Sequence, residues 1–397
     1  MNHVHNKTLT RNPLMTPIES EAKYLQPTYT RQPITLTRGS GTRVWDADGN
    51  EYIDCLAGIA VNVCGHCHPK VVEAIQKQAA TLIHTSNLYY TEPQIKLAEE
   101  LINLTGLDRI FFCNSGTEAC EAAIKLARRT TGKTGFIATE NSFHGRTLGA
   151  LSLTHKEKYR TPFEPLVPGV SFVRYNDADA IAEAITPETA AVFLEAVQGE
   201  GGIHVADTEY LKEVRELCDS QDVLLILDEV QTGFGRTGAW FAYEHYGVLP
   251  DIMIMAKALG GGFPIGAMAS RNDLQFERGD HGTTFGGDPL ACAASLATID
   301  VIRSEDLIER SKTLGAYLLN KLQSIGSLAG NRVREVRGMG LMIGMDFESG
   351  CSHLVDLARE YGVLLNCTAD TVLRFLPPLV ITKQEIDQVL SVIESLE

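Results

Sequence analysis

Basic residues are scarce in this chain: 35 lysines and arginines face 50 aspartates and glutamates, giving a formal net charge of −15. A field of that sign repels polyanions, which argues against partnership with nucleic acid or an anionic membrane surface. Any anionic substrate must therefore meet local arginines. Long apolar runs are also missing. The longest dense one, 223–227, is far too short to cross a bilayer. Residues 1–17 are polar and Asn/Thr-rich, without the apolar run that a signal peptide needs, and read as a flexible N-terminal lead. No repeat period or low-complexity segment occurs. The expectation is a globular cytoplasmic protein with no membrane segment.

Hydrophobic residues make up 44% of the chain and charged residues 21%, so a sizeable core is available. With 397 residues the chain exceeds what one core supports, and a large and a smaller domain are expected. Nine cysteines without a secretory signal point to free thiols in a reducing compartment. Cys64-Gly65-His66-Cys67-His68 matches the C-x-x-C-H pattern of haem attachment and could be half a zinc site. No second cysteine pair lies at zinc-site spacing and the pattern runs into a helical segment at Pro69, so we read it as chance and expect no metal.

Strand-like apolar runs alternate with helical patterns: 109–113 then 117–130, 135–139, 191–195, then 208–220 and 223–228. That order predicts an α/β domain with a largely parallel sheet covered on both faces. The run 223–227 is apolar without alternation, as a central strand buried on both faces should be. Helices are expected at 289–302 and 307–325, then strands at 332–337, 342–347 and 372–375 and a closing helix at 383–396. The N-terminal residues 36–54 read as strand-turn-strand around Asp48-Gly49, packing beside the C-terminal part. The division is 18–60 for that N-terminal segment, 61–303 for the large domain and 304–397 for a small C-terminal α/β domain.

In open α/β sheets ligands bind beyond the carboxyl ends of strands, and three places there carry reactive side chains. Asn114-Ser115-Gly116-Thr117-Glu118-Ala119 lies between a strand and a helix. Ser115, Gly116 and Thr117 suit a phosphate cradle, although Ser115 with Glu118 also reads as a capping box. Asp228 ends the buried strand. It could be an N-cap or a metal ligand, yet it also stands where a pyridinium nitrogen would need an anion. Lys257 follows the apolar run 251–256; it could snorkel to the surface, or, if desolvated, form a Schiff base with an aldehyde. Phosphate cradle, ring-nitrogen carboxylate and imine-forming lysine are together what a pyridoxal phosphate site requires.

The same residues resemble the fold-type I, class III aminotransferases from about Tyr24 to the C-terminus. The resemblance rests on 227–238 (Leu-Asp-Glu-Val-Gln-Thr-Gly-Phe-Gly-Arg-Thr-Gly) with Lys257 in 256–262, and on 114–119, 142–147 and 281–287. Within the class, 86–94 and 241–247 are most similar to the acetylornithine branch. The resemblance implies a large domain with a mostly parallel central sheet and a small domain built from both chain ends. It implies Lys257 and Asp228 as catalytic residues, Gly116 and Thr117 at the phosphate, Phe143 stacked on the ring and Gln231 near the ring oxygen. It further implies a homodimer in which Thr284 reaches the neighbouring subunit's phosphate and Thr283 lies near substrate; the same loop also reads as a helix cap at Asp288-Pro289.

For substrates, the resemblance implies ping-pong transfer of the terminal amino group of N2-acetylornithine to 2-oxoglutarate, a step of arginine biosynthesis. Arg146 is expected to clamp the distal carboxylate and Arg374 the α-carboxylate of glutamate, with Glu195 neutralising Arg374 when the ω-amino donor is bound; each could instead be a structural ion pair. Other donors of the class (ornithine, succinyl-diaminopimelate, acetyl-lysine, 4-aminobutyrate), a PLP aminomutase or racemase, and a non-catalytic binding protein are the alternatives.

Overall fold

Leu224–Asp228 is buried at every position, and the sheet is built outward from it. The computed structural model describes residues 15–328 and 332–396. The seven strands of the large sheet lie in the order Arg109–Cys113, Gly266–Ser270, Ile252–Met255, Leu224–Asp228, Thr189–Glu195, Gly135–Thr139 and Val170–Val173. Leu224–Asp228 is central and pairs in parallel with Ile252–Met255 and Thr189–Glu195. Only Gly266–Ser270 runs against the rest, pairing antiparallel with both of its neighbours. Core side chains cover both faces, including Ala119, Ala123 and Leu126 of the helix Gly116–Thr131 and Leu211, Val214 and Cys218 of Thr208–Gln221. The result is a doubly covered α/β sheet whose strand ends bring Glu195 and Asp228 into register side by side.

The ends of the chain meet. Leu36–Ser40, Arg43–Asp46 and Glu51–Asp54 form a sheet whose last member is Val363–Leu364, paired in parallel with Glu51–Asp54. Asp46 closes the turn before the third strand by accepting from Asp48 N, Asn50 N and the Tyr52 hydroxyl. A separate antiparallel sheet holds Val333–Met339, Met342–Phe347, Val372–Phe375 and Asn366–Thr368 in that order. Arg236, fully buried, ties the loop after the central strand to this part by donating to Leu341 O (2.8 Å) and Pro377 O (2.6 Å). Burial pulls the Arg236 guanidinium down to about 9.

Most of the lead expected at 1–17, residues 1–14, lies outside the described residues; Pro17 opens the helix Pro17–Tyr24, capped reciprocally by Thr16 and Glu19. One expectation needs correction. The cysteines are not all free thiols, because Cys351 and Cys367 form a disulfide. Sequence gave no means of pairing them, since their approach depends on the intervening helix Ser352–Glu360 and strand Val363–Leu364. The C-x-x-C-H segment is structural: Cys64 is buried, His66 Nε2 lies 2.7 Å from Asp54 and His68 Nε2 lies 3.0 Å from Glu305. Among the described residues no cluster of three or more His, Cys, Asp or Glu is placed to hold a metal ion, and no helix is long and apolar enough to cross a membrane.

Candidate active site

A cavity of about 460 Å³ opens beyond the carboxyl ends of the central strands. Ser115, Gly116, Thr117, Phe143, Arg146, Glu195, Asp228, Gln231 and Lys257 all line it, so nine of the residues expected from sequence converge there.

The cradle is made by the entry to the helix Gly116–Thr131. Ser115 Oγ accepts from Glu118 N, so Ser115 is an N-cap, but the Glu118 carboxylate takes Asn114 N in place of Ser115 N and the expected capping box does not close; the N–H groups of Gly116 and Thr117 have no intrahelical partner. Gly116 packs so tightly that a Cβ would come within 2.9 Å of Val230 Cγ1. Thr117 Oγ1 takes the N–H groups of Arg146 and Thr147, both at 3.3 Å, and this brings the 143–147 loop over the cradle. Gly145 is required at that contact, because a Cβ there would lie 2.3 Å from Thr117 Oγ1 and its φ is +142°.

Asp228 has both carboxylate oxygens engaged: Oδ1 accepts from Val230 N (2.9 Å) and Oδ2 lies 2.7 Å from His144 Nδ1. The His144 ring is buried against Phe193, with its Nε2 unpartnered among the described residues. Glu195 accepts from Phe143 N (3.2 Å) and Gly199 N (3.1 Å). Burial raises its carboxyl to about 7, against the pull of His144.

Lys257 begins a short 3₁₀ turn, Lys257–Gly260, with φ +42°, a strained value for a side-chain-bearing residue and one that marks functional positions. Burial depresses its amine, while the nearby carboxylates of Glu200, Asp228 and Glu195 pull the other way. The lysine is thus desolvated rather than snorkelled.

Arg374 lies behind this cavity, fully buried. Its Nη1 donates to Glu200 Oε1 (2.6 Å), Gly199 O (3.2 Å) and Gln231 Oε1 (3.3 Å), and its Nε to Asn366 Oδ1 (3.1 Å); Nη2 has no partner among the described residues. The carboxylate that pairs with Arg374 is therefore Glu200, not Glu195. Glu195 ends its strand facing Phe143, whereas Glu200 sits in the turn between the short strands Val197–Gln198 and His204–Val205. Burial works against ionisation of Glu200, but Arg374 and then Lys257 outweigh it and hold the carboxyl below its usual range.

Arg146 is exposed, its guanidinium 3.6 Å over the Tyr159 ring and 5.4 Å from that of Phe143; among the described residues it has no carboxylate partner. Thr283 Oγ1 accepts from Asn114 Nδ2 (3.0 Å), and Asp288 does cap the following helix through Leu290 N and Ala291 N. Thr284 is exposed and stands apart, in a small groove with His84, Asn87 and Tyr89.

Sequence reasoning passed over His144, Tyr159, Val230 and the part played by Glu200. Glu200 carried a usable signal, lying among Gly199, Gly201 and Gly202. A Cβ at Gly199 would lie 2.4 Å from Gln231 Oε1, so this segment folds tightly against the site.

Pyridoxal phosphate fits these residues. The free helix-terminal N–H groups and Thr117 suit its phosphate, Asp228 its ring nitrogen, Phe143 and Val230 its ring faces, and the desolvated Lys257 its aldehyde.

The family model for class-III aminotransferases matches residues 24–396. The acetylornithine aminotransferase of Methanosarcina mazei is 61% identical over 378 residues, 95% of each chain. That of Caldanaerobacter subterraneus is 51% identical, covering 95% of this chain and 98% of its own. Among solved structures, the ornithine aminotransferase of Toxoplasma gondii superposes with a TM-score of 0.93 at 36% identity, over 96% of this chain and 95% of that one. The acetylornithine aminotransferase of Elizabethkingia anophelis superposes with a TM-score of 0.84 at 34% identity, over 95% and 97%.

Proposed function

Because the chain belongs to the class-III aminotransferases, pyridoxal-phosphate enzymes of fold type I, we propose that it transfers the terminal amino group of N2-acetylornithine to 2-oxoglutarate. The products are N-acetylglutamate 5-semialdehyde and glutamate, as in arginine biosynthesis. The observation that carries this reading is the pairing of fully buried Arg374 with the half-buried Glu200 that lines the cavity beside Lys257. It is a carboxylate receptor already filled by an internal carboxylate, as an enzyme needs when one substrate brings two carboxylates and the other brings one to the far end of the site. Displacing Glu200 frees Arg374 for the α-carboxylate of glutamate; leaving the pair closed presents a neutral wall to an ω-amino donor.

Bound pyridoxal phosphate supplies an electron sink for breaking the bond between the substrate carbon and its proton. The chain's own residues do the rest. Lys257 Nζ, depressed by burial, is the base that takes and returns that proton. Asp228, fixed by His144 and Val230 N, would hold the ring nitrogen in its protonated form. Gly116 and Thr117 would anchor the phosphate, Phe143, hung from Glu195, would cover the ring, and Gln231 would serve the ring oxygen.

Arg146, at the open side, takes the carboxylate far from the reacting amine. The entrance also carries Lys156 and Lys158, against Glu157 and Asp370.

The active unit is a homodimer in this reading, with Thr284 reaching the partner's phosphate and Thr283 near substrate. Its support is the exposed apolar group Leu88 (83%), Tyr89 (69%) and Tyr90 (96%), near which Thr284 opens a groove. The substrates are small molecules, and the seven unbonded cysteines support a cytoplasmic site of action.

The test is the visible absorption of the loaded enzyme. N-acetylornithine alone should discharge the cofactor's yellow band and 2-oxoglutarate restore it. Discharge only by another amine moves the donor assignment; no discharge by any amine ends the reading.

A further inference from the structure

The Cys351–Cys367 disulfide anchors the strand whose other residues touch the Arg374–Glu200 pair. Cys367 is the middle residue of the edge strand Asn366–Thr368, and both its neighbours touch the pair: Asn366 Oδ1 accepts from Arg374 Nε (3.1 Å) and Thr368 Oγ1 donates to Glu200 O (2.9 Å). The strand is three residues long and has one ladder neighbour, Val372–Phe375. It leads into Ala369 and Asp370, both at positive φ (+48° and +67°), and Asp370 O accepts from Cys351 N (3.2 Å). Its covalent tie is the bond to Cys351 at the start of the helix Ser352–Glu360.

We propose that this disulfide is an exchangeable thiol site through which a dithiol reductant sets the enzyme's affinity for dicarboxylates. The inference rests on the aminotransferase reading for the identity of the ligand. Access is one-sided. Cys367 is partly exposed and lines the entrance, whereas Cys351 is fully buried. A thiolate therefore attacks the Cys367 sulfur, forming a mixed disulfide there and expelling the Cys351 sulfur as a thiolate. That leaving group is the N-cap residue of Ser352–Glu360, where the helix terminus stabilises negative charge. The second thiol of the reductant then displaces Cys367. The balance is two electrons and two protons from the dithiol, two protein thiols formed and one disulfide formed in the reductant. Once the bond opens, Asn366–Thr368 is held by its short ladder and by hydrogen bonds such as Thr368 Oγ1 to Glu200 O (2.9 Å), so Asn366 is less firmly fixed against Arg374 Nε and the receptor loses preorganisation.

The experiment uses the pyridoxal-phosphate-loaded enzyme before and after dithiothreitol, with thiols trapped by alkylation and mapped by mass spectrometry. Reduction should add two alkylated residues, Cys351 and Cys367, and a limiting monothiol should leave its adduct on Cys367. The KM for 2-oxoglutarate should rise about fivefold or more and recover on reoxidation, while the cofactor band stays. The Kd for glutarate, by calorimetry, should rise in parallel. The C351A/C367A double variant should match the reduced enzyme and ignore dithiothreitol; if it does not fold, the wild-type comparison decides alone. Full alkylation of both cysteines before reduction overturns the proposal. So does a glutarate Kd unchanged within about twofold when the bond opens. Redox-dependent glutarate binding by a protein that forms no glutamate would instead sink the aminotransferase reading and leave this one standing.

Discussion

Nη1 of Arg374 donates to Glu200 Oε1 at 2.6 Å, with the arginine side chain wholly inside the protein. Removing the half-buried carboxylate is costly, because the buried guanidinium is then left without a counter-charge.

Glu200→Gln should therefore separate the two half-reactions. With Arg374 no longer covered by an anion, kcat/KM for N-acetylornithine should fall roughly 10- to 100-fold, while that for glutamate changes less than about threefold. Glu195→Gln should behave differently, since Glu195 holds Phe143 N and Gly199 N: both half-reactions should fall together. Stopped-flow measurement of each half separately checks this, and equal losses in Glu200→Gln would remove its assigned role.

Lys257 gives a pH prediction. Burial draws its amine below 10.5, so capture of pyridoxal phosphate by the apoenzyme should climb with pH and level off earlier than a free lysine would. The rate at which the yellow band appears between pH 6 and 11 reads this directly. Lys257→Ala should form no borohydride-reducible adduct and lose about 10²–10⁴-fold or more in turnover. A rate still rising at pH 10.5 would contradict the desolvated state of this residue.

Stability should also carry a pH signature away from Lys257. Glu229 is buried and accepts from Ala242 N (3.0 Å), Tyr243 N (2.9 Å) and the Thr232 hydroxyl; burial nonetheless raises its carboxyl from 4.5 to about 7. A carboxyl raised on folding binds its proton more tightly in the native state. Its contribution is complete below about pH 4.5, declines as pH rises through the window to about 7, and is level above that. The decline from Glu229 is on the order of 3 kcal/mol. Glu195, also raised to about 7, adds to it in the same direction. Glu229→Gln should flatten part of the fall in urea stability between pH 5 and pH 7.5, even if the amide lowers stability at pH 5. An unchanged slope would rule out Glu229 as its source.

Much of this was readable beforehand where burial dictates composition. The run 223–227 announced a two-sided central strand, and Arg109–Cys113 and Gly135–Thr139 came with their observed bounds. Gly266–Ser270 gave no such signal. Gly, Ala, Met, Ala and Ser have no β-branched or aromatic member, and small size is what lets this strand pass beside the cradle, where a Cβ on Gly266 would lie 2.5 Å from Ser115 O. The choice between Glu195 and Glu200 was beyond composition too. Five positions apart in one segment, they are separated by a strand end and a turn that point them at different partners. Lys257 and Asp228 were legible because each follows an apolar run; His144 was not, since a lone histidine in a loop says nothing about which carboxylate it will face.

Subunit association offers a further check. Tyr90→Asp puts a charge on the most exposed member of the apolar group and should shift the enzyme toward monomer in sedimentation, with weaker retention of pyridoxal phosphate on dialysis. A variant that stays dimeric and holds cofactor as the wild type does would place the interface elsewhere.

The parallel pairing of Ile53 with Val363 sets the order of events at the ribosome. The strand Glu51–Asp54 leaves the exit tunnel early, yet its partner is made about 310 residues later. At about 5–20 residues per second that is an interval of roughly 15–60 s in which one edge of the nascent sheet has no neighbour. During that interval it is open to a wrong strand from another chain, so slowing translation of the last third should increase aggregation of this protein more than slowing the first.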